Sequence, residues 1–355
     1  AGEPLPRRQD DLTQSGHSIE VRLYAEDPAA GFLPQTGTVA RFDVPSGPGI
    51  RVDAGVESGT VVPRFYDPML AKLVVHAADR PAAVARLREV LASTVLHGVR
   101  TNLGHLADVA AHEVFADGDL DTGFLDRHLP DWSPAPADPS HVAAVAALLA
   151  AHGAATLPGD PTDPWRRLGP WRVGPAGGTP VRLTDGDVDH DATVRGRAGQ
   201  FTVGLDDATF DVALDHDPDA EGRATATVDG ESVPVVLTVL DDEVWAHVAG
   251  RTIRFDRRPV THHADAAAMA GAGALASPMP GAVLEVRVAE GDRVEAGQVL
   301  LLVEAMKMEH PITAPGPGTV IAVHVADGDA VEAGAALVEY EPDDVERVSE
   351  PTEES

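Results

Sequence analysis

The feature that most constrains this 355-residue chain is an internal repeat near its end. The stretch Ser277–Gly297 aligns without a gap to Ala314–Gly334, at an offset of 37 residues. Pro280-Gly281 and Pro317-Gly318 give equivalent turns, and so do Gly291-Asp292 and Gly328-Asp329. Two copies of a β-unit this short cannot each enclose a core of their own, so they are expected to pack face to face about a pseudo-twofold axis, as a flattened barrel. The connector between them then becomes a single exposed hairpin. It contains Glu304-Ala305-Met306-Lys307-Met308-Glu309.

Lysine is rare in this chain, which gives that hairpin added weight. Of 27 basic residues only Lys72 and Lys307 are lysines; the others are arginines. Codon bias accounts for the scarcity, and a turn lysine is ordinarily just a solvated charge. The flanking Met306 and Met308 argue otherwise, because a turn tip does not usually expose two large apolar side chains unless a partner reads them.

Three further textures precede the repeat. Residues 1 to about 130 read as mixed α/β. Ser18–Tyr24 alternates Ile19, Val21 and Leu23 with Glu20, Arg22 and Tyr24, a strand with one polar face. Met69–His76 is a second strand. Pro81 to Leu96 reads as a helix with Val84, Leu87, Leu91 and Val95 on one face, and Gly98 as its stop. A short helix is expected around Asn102–His112. The Pro-rich Ser133–Ser140 reads as a linker, and an Ala-rich helix follows over His141–His152. From about Trp165 to Pro259 short strands alternate with turns, Asp229-Gly230 and Ala249-Gly250 among them, which predicts a small antiparallel barrel or sandwich. Residues 264–276, nearly all Ala and Gly, read as a flexible tether, and the acidic end as disordered.

Composition excludes several functions. Apolar residues make up 43% and aromatics only 4%, so the cores must be built from Val, Leu and Ala. A net charge of −30 opposes nucleic-acid partners and anionic membranes. The absence of cysteine removes disulfides, thiolate metal sites and thiol nucleophiles. No apolar run approaches the roughly 18–20 residues of a membrane span. No signal segment opens the chain, so a cytoplasmic location is expected. The 15 histidines show no paired metal spacing with carboxylates, so no metal site is expected; His262-His263, beside the tether, reads as solvated. Neither a P-loop ending nor a Gly-x-Ser-x-Gly elbow occurs.

Glu304-Ala305-Met306-Lys307-Met308 resembles the biotin attachment motif of biotin carboxyl carrier domains, and the repeat resembles their fold over essentially all of Ser277–Glu341. The resemblance implies that Lys307 is the biotinyl-lysine, acylated by a biotin ligase. Lipoyl domains share the repeat but carry Asp-Lys-Ala at the hairpin. The N-terminal segments Gly16–Pro28, Phe32–Pro34, Tyr66–Leu73 and Gly98–Asn102 resemble, in order and spacing, the C-terminal domain of biotin carboxylase, an ATP-grasp enzyme. That resemblance implies that Arg22 is catalytic, a fixed cation beside the biotin ureido oxygen. It implies that Glu20, Asp67 and Lys72 support it. The β-rich middle, best at Val244–Phe255, resembles the connecting domain that holds a carboxyltransferase β subunit.

The expectation is therefore a multidomain α+β chain. It comprises the end of a biotin carboxylase (1–130), a connecting domain of one helix and an antiparallel barrel (131–263), a tether (264–276), a carrier domain (277–341) and an acidic tail (342–355). The ATP-, Mg- and bicarbonate-binding elements would lie upstream of Ala1, so this piece alone is expected to lack ATP-dependent activity. The resemblance implies a hetero-oligomeric acyl-CoA carboxylase α subunit that passes its carboxyl group to acyl-CoA at a separate β subunit. The alternatives are an unmodified β-scaffold and a lipoyl carrier.

Overall fold

The structure is a computed structural model that describes residues 2–155, 177–186, 188–215, 222–241, 243–257, 274–306 and 308–343. The chain divides into two compact units. The first comprises residues 1–32, 37–61 and 69–261, and the second 33–36, 62–68 and 262–355.

The first unit opens with a three-stranded antiparallel sheet. Strand Met69–Ala77 lies in its middle, flanked by His17–Tyr24 and Ile50–Ala54. The strands bury Leu23, Leu73 and Val75 on one face, while Ser18, Glu20, Arg22, Arg51 and Asp53 stay exposed, as the alternation predicts. Helix Arg80–Ser93, capped by the Asp79 carboxylate on the Ala82 amide, buries Ala83, Val84, Leu87, Val90 and Leu91. The helix ends earlier than expected. Val95–His97 is a strand paired with Arg41–Asp43. Gly98 serves that pairing rather than a helix stop. It sits at φ +96°, where a Cβ would fall 2.2 Å from the Thr38 carbonyl oxygen.

Helix Leu103–Ala111 forms where a short helix is expected and is followed by helices Glu113–Asp117 and Phe124–His128; the unit then forms a closed barrel of eight strands, from Thr179–Asp185 to Arg251–Arg257, each paired antiparallel with its sequence neighbours. Asp229-Gly230 and Ala249-Gly250 both turn with positive φ at each residue, as tight hairpins require. Helix Pro139–Ala155 is longer than expected, since the last residues of the predicted linker form its first turn. Val142 through Leu148 are all fully buried and share one core with the barrel strands. The helix lies inside the barrel. A helix apolar on every side can only be enclosed, and its alanines let eight strands close around it.

The second unit contains the repeat. Its two four-stranded sheets are related by the 37-residue offset. Gly281–Val286 corresponds to Gly318–Val323, Arg293–Val294 to Ala330–Val331, and Val299–Ala305 to Ala336–Pro342. Each sheet takes its short edge strand from the other copy: Arg293–Val294 pairs with Gly318-Thr319, and Ala330–Val331 with Gly281-Ala282. The end of the predicted tether is also a strand. Ala274–Ala276 pairs with Ala336–Glu339, in the place the offset assigns to Pro311–Thr313, so the twofold arrangement itself recruits it. Most of the tether, His262-His263 and residues 344–355 of the predicted tail lie outside the described residues. Pro342 ends the last strand, and Asp343 accepts a hydrogen bond from Arg293.

Candidate functional site

Register on the three-stranded sheet places Arg22 opposite Lys72, and Lys72 opposite Asp53. The adjacent row on the same face is Glu20, Val74 and Arg51. Arg22 Nε approaches Glu20 Oε1 at 3.4 Å, and Arg51 forms a two-pronged pair with Asp53 at 2.9–3.0 Å. Contacts with Tyr24, then with Glu20, hold the Arg22 guanidinium above its ordinary pKa. The Arg51 hydrogen bond holds the Asp53 carboxyl below its ordinary value, and the Lys72 charge adds to this. The side chain of Arg22 is 57% exposed, so its charge faces solvent and is open to an incoming group. Three cations and two carboxylates thus share one face of a strongly acidic chain, which lets that face attract an anionic or polarised oxygen.

The backbone beneath Arg22 is fixed by buried Asn102. Its Nδ2 donates to the Arg22 carbonyl at 3.1 Å, and its Oδ1 accepts from the Tyr24 amide at 2.9 Å. Two residues before it, Arg100 pairs with Asp27 at 3.0 Å. This explains locally why Arg-Leu-Tyr-Ala-Glu-Asp and Gly-Val-Arg-Thr-Asn occur together: the second segment clamps the first. Sequence reasoning singled out Arg22, Glu20 and Lys72 but passed over Arg51, Asp53 and the Asn102 clamp. The alternation over Ile50–Ala54 was a usable signal for the first two. Asp67 falls in the segment Val62–Pro68, which belongs to the second compact unit.

In the second unit, strand Val299–Ala305 pairs with Met308–Thr313, and Ala305 is opposite Met308. Positions 306 and 307 are therefore the two residues of the connection. Met306 sits at φ +50°, the left-handed value that a two-residue hairpin demands of its first residue. Lys307 itself lies outside the described residues. Its flanks differ: Met308 is 40% exposed, whereas Met306 is 4% exposed. Ala305 is buried in the core of the repeat module, Glu304 is half-buried, and Glu304 is paired across the hairpin with Glu309. The ladder on both sides of this tip is anchored in a packed core. Among the described residues no group of three metal-ligating side chains comes together, and no helix is long and apolar enough to cross a membrane.

Family models agree with this layout. The biotin carboxylase C-terminal domain matches residues 20–127. The BT domain of the methylcrotonyl-CoA carboxylase α-subunit matches 139–260, and the biotin-requiring enzyme family matches 273–339. The methylcrotonoyl-CoA carboxylase subunit α of Dictyostelium discoideum, a mitochondrial protein, is 32% identical over 334 residues, covering 87% of this chain and 46% of its own length. The propionyl-CoA carboxylase α chain of Ruegeria pomeroyi is 33% identical over 355 residues, covering 87% of this chain and 49% of its own. The chain thus spans about half the length of these relatives. Among solved structures, the biotin carboxylase domain of Hydrogenobacter thermophilus 2-oxoglutarate carboxylase, bound to MgADP and bicarbonate, is 38% identical. It covers 38% of this chain and 30% of that one, at a TM-score of 0.37. Several relatives are mitochondrial, so a cytoplasmic location does not follow from them. In order along its length, the chain carries a biotin carboxylase C-terminal domain, a BT domain and a biotin-type carrier domain, and it is a homologue of the α subunits of methylcrotonyl- and propionyl-CoA carboxylases.

Proposed function

We propose that this chain holds biotin on Lys307 and serves an acyl-CoA carboxylase as the carrier-bearing part of its α subunit. The observation that carries the reading is the hairpin of the duplicated module, which leaves Met306 and Lys307 alone at its tip within the stretch matched by the biotin-requiring enzyme family. A biotin ligase would acylate the Lys307 ε-amine, with Met306 and Met308 as the apolar flanks it reads. Biotin, when bound, supplies a ureido nitrogen that accepts and releases a carboxyl group.

The chain's own residues have separate tasks in this reading. Arg22 offers a permanently charged planar donor to an oxygen that gains negative charge, and Asn102 holds its backbone in place for that role. Glu20 orients the guanidinium. Lys72 and Asp53 set the field beside it, and Asp67 is added by the resemblance of the Tyr-Asp-Pro-Met segment alone. ATP, Mg and bicarbonate serve the carboxylation step of the whole subunit. The helix-filled barrel docks a carboxyltransferase β subunit, where an acyl-CoA receives the carboxyl group.

The test is intact mass and a streptavidin blot of the chain co-expressed with a biotin ligase, beside Lys307→Ala. One biotin on the wild type and none on the variant is the expected result. A correctly folded wild type that stays unmodified would overturn the reading.

A further inference from the structure

Met306 poses a problem that the carrier module does not solve. It sits at the tip of a hairpin, yet it is 4% exposed. It is not among the buried residues of the carrier's own hydrophobic core, which does include its neighbour Ala305. The Met306 amide donates to the carbonyl oxygen of Arg64 at 3.1 Å. The Arg64 side chain extends in turn to the first copy of the repeat, where Nη1 donates to the Gly281 carbonyl at 2.7 Å. Arg64 thus bonds the carrier through both its backbone and its side chain, across 217 residues of sequence. A second strand of evidence comes from Leu33, which packs against the carrier core from another part of the N-terminal stretch. Residues 33 and 64 fall inside the biotin carboxylase match, whereas 281 and 306 fall inside the carrier match.

We propose that the segment Val62–Pro68 is an intramolecular dock for the carrier hairpin, with Arg64 as its positioning residue. The chemistry suits a reversible dock. The hydrogen bonds run to main-chain groups, so they recognise the backbone shape of the hairpin. A guanidinium donor to a carbonyl is stronger than a neutral hydrogen bond and still weak enough to release. While docked, the hairpin hides Met306, one of the two apolar flanks available to a biotin ligase. This last consequence rests on the carrier reading; the dock itself does not.

The experiment uses the whole chain and needs no biotin. In the wild type the Met306 amide should be protected from hydrogen exchange, and Met306 should oxidise in dilute peroxide more slowly than Met308. Arg64→Ala should raise Met306 exchange about tenfold, and Arg64→Lys, which keeps one donor, by less. A wild-type Met306 amide that exchanges like a free turn amide overturns the dock, whether or not the variants fold. So does an unchanged Met306 rate in folded Arg64→Ala. With ligase added at limiting concentration, Arg64→Ala should gain biotin several-fold faster than wild type, and an equal rate overturns the masking role. A wild type that is never biotinylated counts against the carrier reading alone, because Met306 exchange still reports the dock.

Discussion

The barrel and the carrier module solve the same problem in opposite ways. Both are small all-antiparallel β structures with mostly aliphatic cores, Phe255 being the buried aromatic of the barrel core and Tyr340 that of the carrier core. The barrel closes on itself and fills its interior with a foreign element, the helix whose residues Val142–Leu148 are fully buried. The carrier brings no filler. It lays one copy of a β-unit on the other, so that Leu300 and Leu337, matched by the 37-residue offset, are both fully buried. The barrel core is therefore set by the volume of a single helix. The carrier core is set twice over, once by each copy. A hydrophobic interior without large side chains thus requires either a helix of small residues or a second sheet within reach.

The sharpest way to break this comparison is to cut the matched leucines. Leu300→Ala and Leu337→Ala should each destabilise the carrier by about 3–4 kcal/mol, and by similar amounts, as read from urea unfolding. Costs that differ by more than twofold would mean that the copies share a backbone but not a core.

The complementary change overfills the barrel. Ala146→Leu should cost about 2–3 kcal/mol in the first unit and leave the carrier's unfolding midpoint where it was. An equivalent cost from both units would show that they do not unfold separately.

The smallest effect distinguishes the regions by pH. His97 is buried beside the barrel, with Nδ1 2.8 Å from Thr238 Oγ1 and Nε2 without a partner in the structure. Burial, with the nearby His247 and Arg41 charges adding, pushes its pKa from 6.5 down to about 3. Above pH 6.5 the ring is neutral both folded and unfolded. Below that, the unfolded chain takes up a proton that the folded one refuses, so stability is lost as pH falls from 6.5 toward 3. Between pH 7 and 5 this amounts to about 2 kcal/mol for the first unit. Burial also lowers the pKa of His247, which adds in the same direction. The carrier has no buried histidine among its described residues. Its stability should hold across that range, and His97→Gln should flatten the slope of the first unit.

What was legible in the sequence depended on how far apart the cooperating residues lie. The repeat declared itself, because its two copies are aligned in one dimension and only need to meet in the third. The polar face of Ser18–Tyr24 was equally visible, since alternation is a local property. Val95–His97 was misread as helix because its apolar pattern continues that of Leu87 and Leu91. Only its partner Arg41–Asp43, more than 50 residues upstream, pulls it into a strand. Ala274–Ala276 has no strand propensity at all and is ordered by a twofold mate that local reading cannot supply. The helix inside the barrel was predicted as a helix, but its burial was not drawn from its all-apolar circumference. Arg51 and Asp53 were overlooked because an exposed Arg-x-Asp pair is common. Their place beside Lys72 and Arg22 appears only once three strands are in register.

The exchange of short strands between the two carrier copies has a further consequence. Neither copy is a complete object, since each sheet is finished by Arg293–Val294 or Ala330–Val331 borrowed from across the axis. A cut near the hairpin tip would leave two interlocking pieces, each lacking what the other holds. Two such pieces should find each other in solution as readily as two identical subunits do. The module has the logic of a symmetric dimer whose halves were joined end to end, and Lys307 lies in the stretch that joins them.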